Sequence, residues 1–97
     1  MSKPVLFDPA AITEARAAYS WYFARSPSSA ANFLNELDDA VDAVVATPGR
    51  WPSHIEETRR YVFRRFPFYL VYRESAEAVQ ILAVAHGRRR PAYWHPR

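Results

Sequence analysis

Asp8-Pro9 and Ser26-Pro27 each set a capping side chain directly before a proline and ahead of a periodic apolar stripe. Both read as helix starts. A short oxygen-bearing side chain accepts a free amide of the first turn, and proline fits the first helical position because no donor is needed there. After Pro9, the residues Ile12, Ala15, Tyr19, Tyr22 and Phe23 recur at helical spacing and predict a helix to about Ala24. After Pro27, a second stripe of Ala30, Phe33, Leu34, Leu37, Val41, Val44 and Val45 runs out near Thr47, ahead of Pro48-Gly49. So little chain separates the two stripes that the helices must turn back on each other as an antiparallel hairpin.

The texture then changes. Residues 48–58 contain Pro48 and Pro52 and no periodicity, which predicts a loop. Arg60 to Phe66, Tyr69 to Arg73 and Val79 to His86 are rich in Val, Ile, Tyr and Phe and read as strands, as does the short Val5-Leu6-Phe7 ahead of the hairpin. Glu74-Ser75-Ala76-Glu77 is a tight connection that makes a hairpin of the last two strands. The order β-α-α-β-β-β predicts an α+β fold, with a short N-terminal strand and the helical hairpin packed on a mostly antiparallel sheet. A chain of 97 residues, 49% of them hydrophobic, suits a single domain spanning 1–97 around one core.

Several classes of chemistry drop out. There is no cysteine, hence no disulfide framework and no thiolate metal site. His54, His86 and His95 lack metal-ligand spacing, so neither a metal nor a cofactor is expected. The two glycines, Gly49 and Gly87, form no phosphate-cradling loop. No stretch approaches the ~20 apolar residues of a membrane span, and the apolar opening is too short for a signal peptide, so a cytoplasmic protein is expected. Glu36, Asp38, Asp39 and Asp42 fall mainly on the polar side of the second helix and read as a solvated face, while Trp21 and Trp51 read as packing residues.

Charge is where the sequence speaks of function. Residues 1–48 hold three basic side chains against six acidic ones, and residues 49–97 hold ten arginines against four glutamates. Such polarity points to an anionic partner for the second half, and guanidinium groups suit bidentate contacts. The densest part is His86-Gly87-Arg88-Arg89-Arg90-Pro91-Ala92-Tyr93-Trp94-His95-Pro96-Arg97. Arg88, Arg89, Arg90, Tyr93 and Trp94 are the leading candidates for target contact, with Arg59, Arg60 and Arg64 as an extension along the preceding strand. On a strand Arg64 and Arg65 would face opposite sides. Tyr93 and Trp94 either stack on a target or pack back onto the sheet edge; the sequence leaves both open. His86, beside the arginines at a strand end, is a candidate general base.

Three segments in order carry a resemblance. They are Pro48-x-x-Trp51-Pro52, the run from Arg59 to Arg73 (R-R-Y-V-F-R-R-F-P-F-Y-L-V-Y-R), and the run from Ile81 to Trp94 (I-L-A-V-A-H-G-R-R-R-P-A-Y-W). With the helical hairpin before them, they resemble the RelE/ParE toxin superfamily, and within it the ParE-like plasmid-stabilisation branch. The resemblance implies the toxin of a type II toxin–antitoxin system, on the same β-α-α-β-β-β scaffold. It also implies a cognate ParD-like antitoxin that wraps the toxin in a hetero-oligomer and neutralises it.

Two activities exist among such proteins. ParE-like members inhibit DNA gyrase and are not hydrolases, whereas RelE-like members cleave mRNA on the ribosome. Tyr69 stands where the RNA-cleaving branch commonly has an arginine, which favours gyrase. Under the nuclease alternative the catalytic residues would be His86, Arg89 and Tyr93. A degenerate homologue that binds its antitoxin and poisons nothing is a third reading. The strands from Arg60 to His86 are expected to be scaffold and antitoxin-facing surface, and Arg88 to Arg97 the effector, so that removing residues 88–97 would abolish toxicity and leave the fold and most antitoxin binding intact.

Overall fold

The computed structural model describes residues 3–95 and 97; Met1, Ser2 and Pro96, and with them the very start of the apolar opening and one residue of the basic tail, lie outside the described residues. The chain runs β1 (Val5–Phe7), α1 (Pro9–Arg25), α2 (Pro27–Ala46), two single-turn 3-10 segments (Pro48–Arg50 and Ile55–Glu57), β2 (Arg59–Val62), β3 (Phe68–Glu74) and β4 (Val79–His86). Both helix starts are capped as their residues require. Asp8 Oδ1 accepts the Ala10 amide at 2.8 Å, and Ser26 Oγ accepts the Ser29 amide at 3.3 Å. Ser26 also donates its own backbone N–H to Tyr22 at 2.8 Å, closing α1 while opening α2. One residue therefore makes the hairpin.

The sheet order is β1-β4-β3-β2, with β1 parallel to β4 and the other pairs antiparallel. The architecture is the α+β arrangement expected. The helical hairpin covers one face, where Phe33 is fully buried and meets Tyr22, Phe63, Phe66 and Phe68 at ring-centroid distances of 5.3–6.0 Å.

The inward stripe of α1 differs from the one expected. Ala11, Ala15, Ala18 and Tyr22 face the sheet, while Ile12 and Phe23 are exposed, as is Leu34 on α2. Small side chains let α1 lie close against β4, and the bulkier neighbours are turned outward by the same rotation.

Two further departures matter for the site. β2 stops at Val62 rather than Phe66. Phe63–Pro67 is a turn in which Phe63 N–H bonds Phe68 O at 3.0 Å, so Arg64 and Arg65 do not alternate across a strand. The amides of both donate to Glu36, that of Arg65 at 3.2 Å to Oε1. Glu36 is thus buried on α2 and is not part of a solvated face. It stands three residues after Phe33 and four before Ala40, on the apolar stripe, because the turn needs an acceptor there.

In β4, Val71 pairs with Ala83 but Tyr72 pairs with Ile81, leaving Leu82 as an extra residue. A bulge of this kind reverses the side-chain alternation beyond it. Val79 and Ile81 face the helices, and after Leu82 so does Val84, while Leu82, Ala83 and Ala85 belong to the opposite face.

That opposite face is covered by the tail. Trp94 is 1% exposed and packs with Val71, Leu82, Ala83 and Ala85, flanked by Tyr69 and Tyr93. Residues 88–97 are therefore not an effector separable from the scaffold. Removing them would strip a fully buried indole from the sheet.

Candidate functional site

β1 ends at Phe7, and its last tie is the Asp8 N–H bond to Ile81 O at 2.9 Å. β4 runs five residues further, so its outer edge has no strand beside it there. A groove of about 450 Å³ opens between α1 and this stretch of β4. Trp21, Tyr22 and Phe68 form apolar walls, and Glu14, His86, Arg89 and Tyr93 supply the polar groups. The bulge at Leu82 is what brings His86 here. It shares the helix side with Val84 and meets Phe68 edge-to-face at 5.1 Å.

The structure thus gathers His86, Arg89 and Tyr93 into one groove, but in states that suit acid–base chemistry poorly. His86 Nδ1 accepts the Arg88 backbone N–H at 3.0 Å. In the neutral ring that lone pair is committed and the proton sits on Nε2. Tyr93 donates its hydroxyl to Glu14 Oε2 at 2.5 Å. Burial raises the Tyr93 phenol above its ordinary value, the Glu14 hydrogen bond and charge add to the rise, and Arg97 and Arg89 oppose it. A phenol held protonated against a carboxylate is a weak general base. Arg89 lies over the Tyr93 ring at 4.0 Å.

Arg88, Arg89 and Arg90 are all exposed on the turn that follows β4. The turn is anchored by Gly87 N–H to Pro67 O at 2.8 Å and Arg89 N–H to His86 O at 3.0 Å. Trp94 offers no surface to a partner, since the sheet buries it. The other three candidates lie elsewhere. Arg59 donates to Trp51 O at 2.7 Å and holds the proline-rich loop. Arg60 is exposed, 6.0 Å over the Tyr69 ring. Arg64 is exposed in the β2–β3 turn. Trp51 packs as expected, 4.6 Å edge-on to Tyr61. Trp21 does not: it is 53% exposed, lines the groove, and carries the Arg25 guanidinium 3.6 Å above its ring.

Glu14 is the residue sequence reasoning missed. Its Oε1 accepts the Val84 N–H at 3.1 Å and Arg97 Nη1 at 2.9 Å, while Oε2 takes Tyr93. The signal was present. Glu14 stands three residues after Ala11 and four before Ala18, on the inward stripe, as Glu36 does on α2. On the tail-covered face His54 sits 6.1 Å from both Tyr69 and Trp94, its pKa lowered by burial and then by Arg60. Among the described residues no three His, Asp or Glu side chains converge as a metal site, and no helix is long and apolar enough to cross a membrane.

The family model for the ParE toxin of type II toxin–antitoxin systems, parDE, matches residues 5–91. Toxin ParE2 of Mycobacterium tuberculosis, in strains CDC 1551 / Oshkosh and ATCC 25618 / H37Rv, is 32% identical over 75 residues, which is 76% of this chain and 71% of that protein. Among solved structures, a chain of the chromosomal ParDE TA system from P. aeruginosa superposes with a TM-score of 0.77, covering 88% of this chain and 96% of that one. At 17% identity that likeness is one of fold.

Proposed function

The chain belongs to the ParE toxin family of type II toxin–antitoxin systems, and on that premise we propose that it inhibits DNA gyrase through the basic turn Arg88–Arg90 and is neutralised by a ParD-like antitoxin seated in the adjoining groove. The observation that carries the reading is the pairing of three exposed arginines with neighbours, Tyr93 and His86, whose hydroxyl and Nδ1 are already engaged. Such a surface suits binding better than proton transfer by Tyr93 or by His86 Nδ1. Tyr93 keeps its hydroxyl on Glu14 and His86 keeps its Nδ1 on Arg88, which speaks against mRNA cleavage by the same residues.

The groove suits the partner. Its apolar walls fit the hydrophobic side of an amphipathic segment, and the arginines at its end attract acidic residues on the same segment. An antitoxin lying there would cover the basic turn, so neutralisation and target contact would compete for one surface.

Growth arrest on induced expression, relieved by co-expressed antitoxin, tests the toxin. Supercoiling by purified gyrase at stoichiometric toxin tests the target: inhibition that weakens in Arg88→Ala/Arg89→Ala/Arg90→Ala is expected, and undiminished supercoiling with the unaltered protein would exclude gyrase. Codon-positioned cuts in mRNA from a translating extract, lost in His86→Ala, would replace the gyrase reading with the nuclease one.

A further inference from the structure

Leu82 and Val84 are buried residues whose backbone groups point to the unpaired edge of β4. A strand continuing β1 would offer a carbonyl to Val84 N–H and an amide to Leu82 O. Two side chains do so instead. Glu14 Oε1 accepts from Val84, and Arg97 Nη1 donates to Leu82 O at 3.3 Å. The pair is itself bonded at 2.9 Å and is mostly buried, with side-chain exposures of 21% for Arg97 and 16% for Glu14. The second carboxylate oxygen holds Tyr93, whose ring also lies 5.3 Å from the Arg97 guanidinium. One carboxylate on α1 therefore joins the helix, the central strand and the tail.

The consequence falls on the basic turn. Its near end is fastened at the foot of β4 by Gly87 and Arg88, and its far end by Tyr93 and Trp94. Without Glu14 the far end would keep the Trp94 indole and the Arg97 bond to Leu82 O but lose the Tyr93 bond and the ion pair, so the arginines would be held less firmly on that side. We propose that Glu14 is a positioning residue: through Tyr93 and Arg97 it holds Arg88–Arg90 in one conformation, so that target binding does not have to order them. Tyr93 and Arg97 lie beyond residues 5–91 that the family model matches, so this lock comes from the chain's own geometry. It rests on the reading of the basic turn as the target-facing surface.

The test uses the full chain with Glu14→Gln, whose amide oxygen can still accept Val84, and Tyr93→Phe, which removes only one hydroxyl. Three quantities are measured: amide hydrogen exchange across residues 87–95, ultraviolet titration of the tyrosines, and growth arrest on induction. In Glu14→Gln, exchange across residues 87–95 should quicken by about tenfold or more, since part of the strap opens without global unfolding. The tyrosine titration step that Tyr93→Phe removes should move to lower pH in Glu14→Gln because the carboxylate no longer opposes the phenolate. Growth arrest should weaken by on the order of tenfold in dose, the cost of ordering side chains that were preorganised.

Unchanged exchange and titration in Glu14→Gln would overturn the lock. A loosened strap with full growth arrest, where Arg88→Ala/Arg89→Ala/Arg90→Ala abolishes arrest, would overturn the positioning role. If the triple variant also arrests growth fully, the positioning role falls because the target-facing reading beneath it has failed.

Discussion

The two faces of the sheet are closed by different means. On one, α1 and α2 lay down periodic stripes, and the aromatic cluster around Phe33 fills the space between layers. On the other, an irregular tail folds back and a single indole does most of the covering. The helix-covered face follows from local rules. The tail-covered face depends on contacts between residues far apart in sequence, such as Tyr93 with Glu14. Both covers nevertheless lean on the same device, a glutamate on a helix that accepts backbone amides the strands leave open.

The comparison predicts equal dependence on both covers, and the largest effect tests it. Phe33→Ala and Trp94→Ala should each cost about 3–5 kcal/mol in urea unfolding, as for other large buried aromatics. A Trp94→Ala loss below about 1 kcal/mol, within ordinary surface effects, would show that the tail is an appendage after all. Next comes Glu36→Ala. It leaves the part-buried amides of Arg64 and Arg65 without their acceptor, at about 1–2 kcal/mol, while Asp38→Ala on the exposed side of α2 should stay within about 0.5 kcal/mol.

Acid should separate the faces. His54 packs against Tyr69 of β3 and Trp94 of the tail, and Arg60 of β2 adds positive charge. Because its folded pKa is lowered, the unfolded chain takes up the proton first. The stabilisation is present above the ordinary value of about 6.5 and declines as pH falls below it through the depressed folded value. Melting temperatures followed downward from pH 7.5 should fall in the unaltered protein and change less in His54→Gln; identical slopes would remove His54 from the account. The smallest effect concerns Ala92, whose φ of 60° places a non-glycine residue in the left-handed region just before Tyr93. Ala92→Gly should raise the unfolding free energy modestly, by no more than about 1 kcal/mol, since relief of strain is partly offset by glycine's greater freedom when unfolded.

Much of the helix-covered side was legible from residue order. Asp8-Pro9 and Ser26-Pro27 marked both starts, Phe33 and Val44 marked the core stripe, and Val79–His86 was read to its bounds. The end of β2 was not, because Tyr61-Val62-Phe63 continues an apolar run that only the Glu36 carboxylate interrupts, from α2. Of the site, the cluster of arginines was plain in the sequence, and so were His86 and Tyr93 as its companions. Their hydrogen-bond partners and exposure were not, since these depend on Glu14 and on the bulge at Leu82.

Composition and periodicity thus decided that this chain would take an α+β fold with an acidic first half and an arginine-rich second half. Those properties are local or additive, so they survive being read one residue at a time. Tertiary structure alone decided that Trp94 is buried, that Trp21 is not, and that Glu14 binds Tyr93, Arg97 and Val84 together. An unpaired stretch of β4 created that demand for donors and acceptors. Which side chains meet it depends on where the folded chain brings a carboxylate and a guanidinium within about 3 Å.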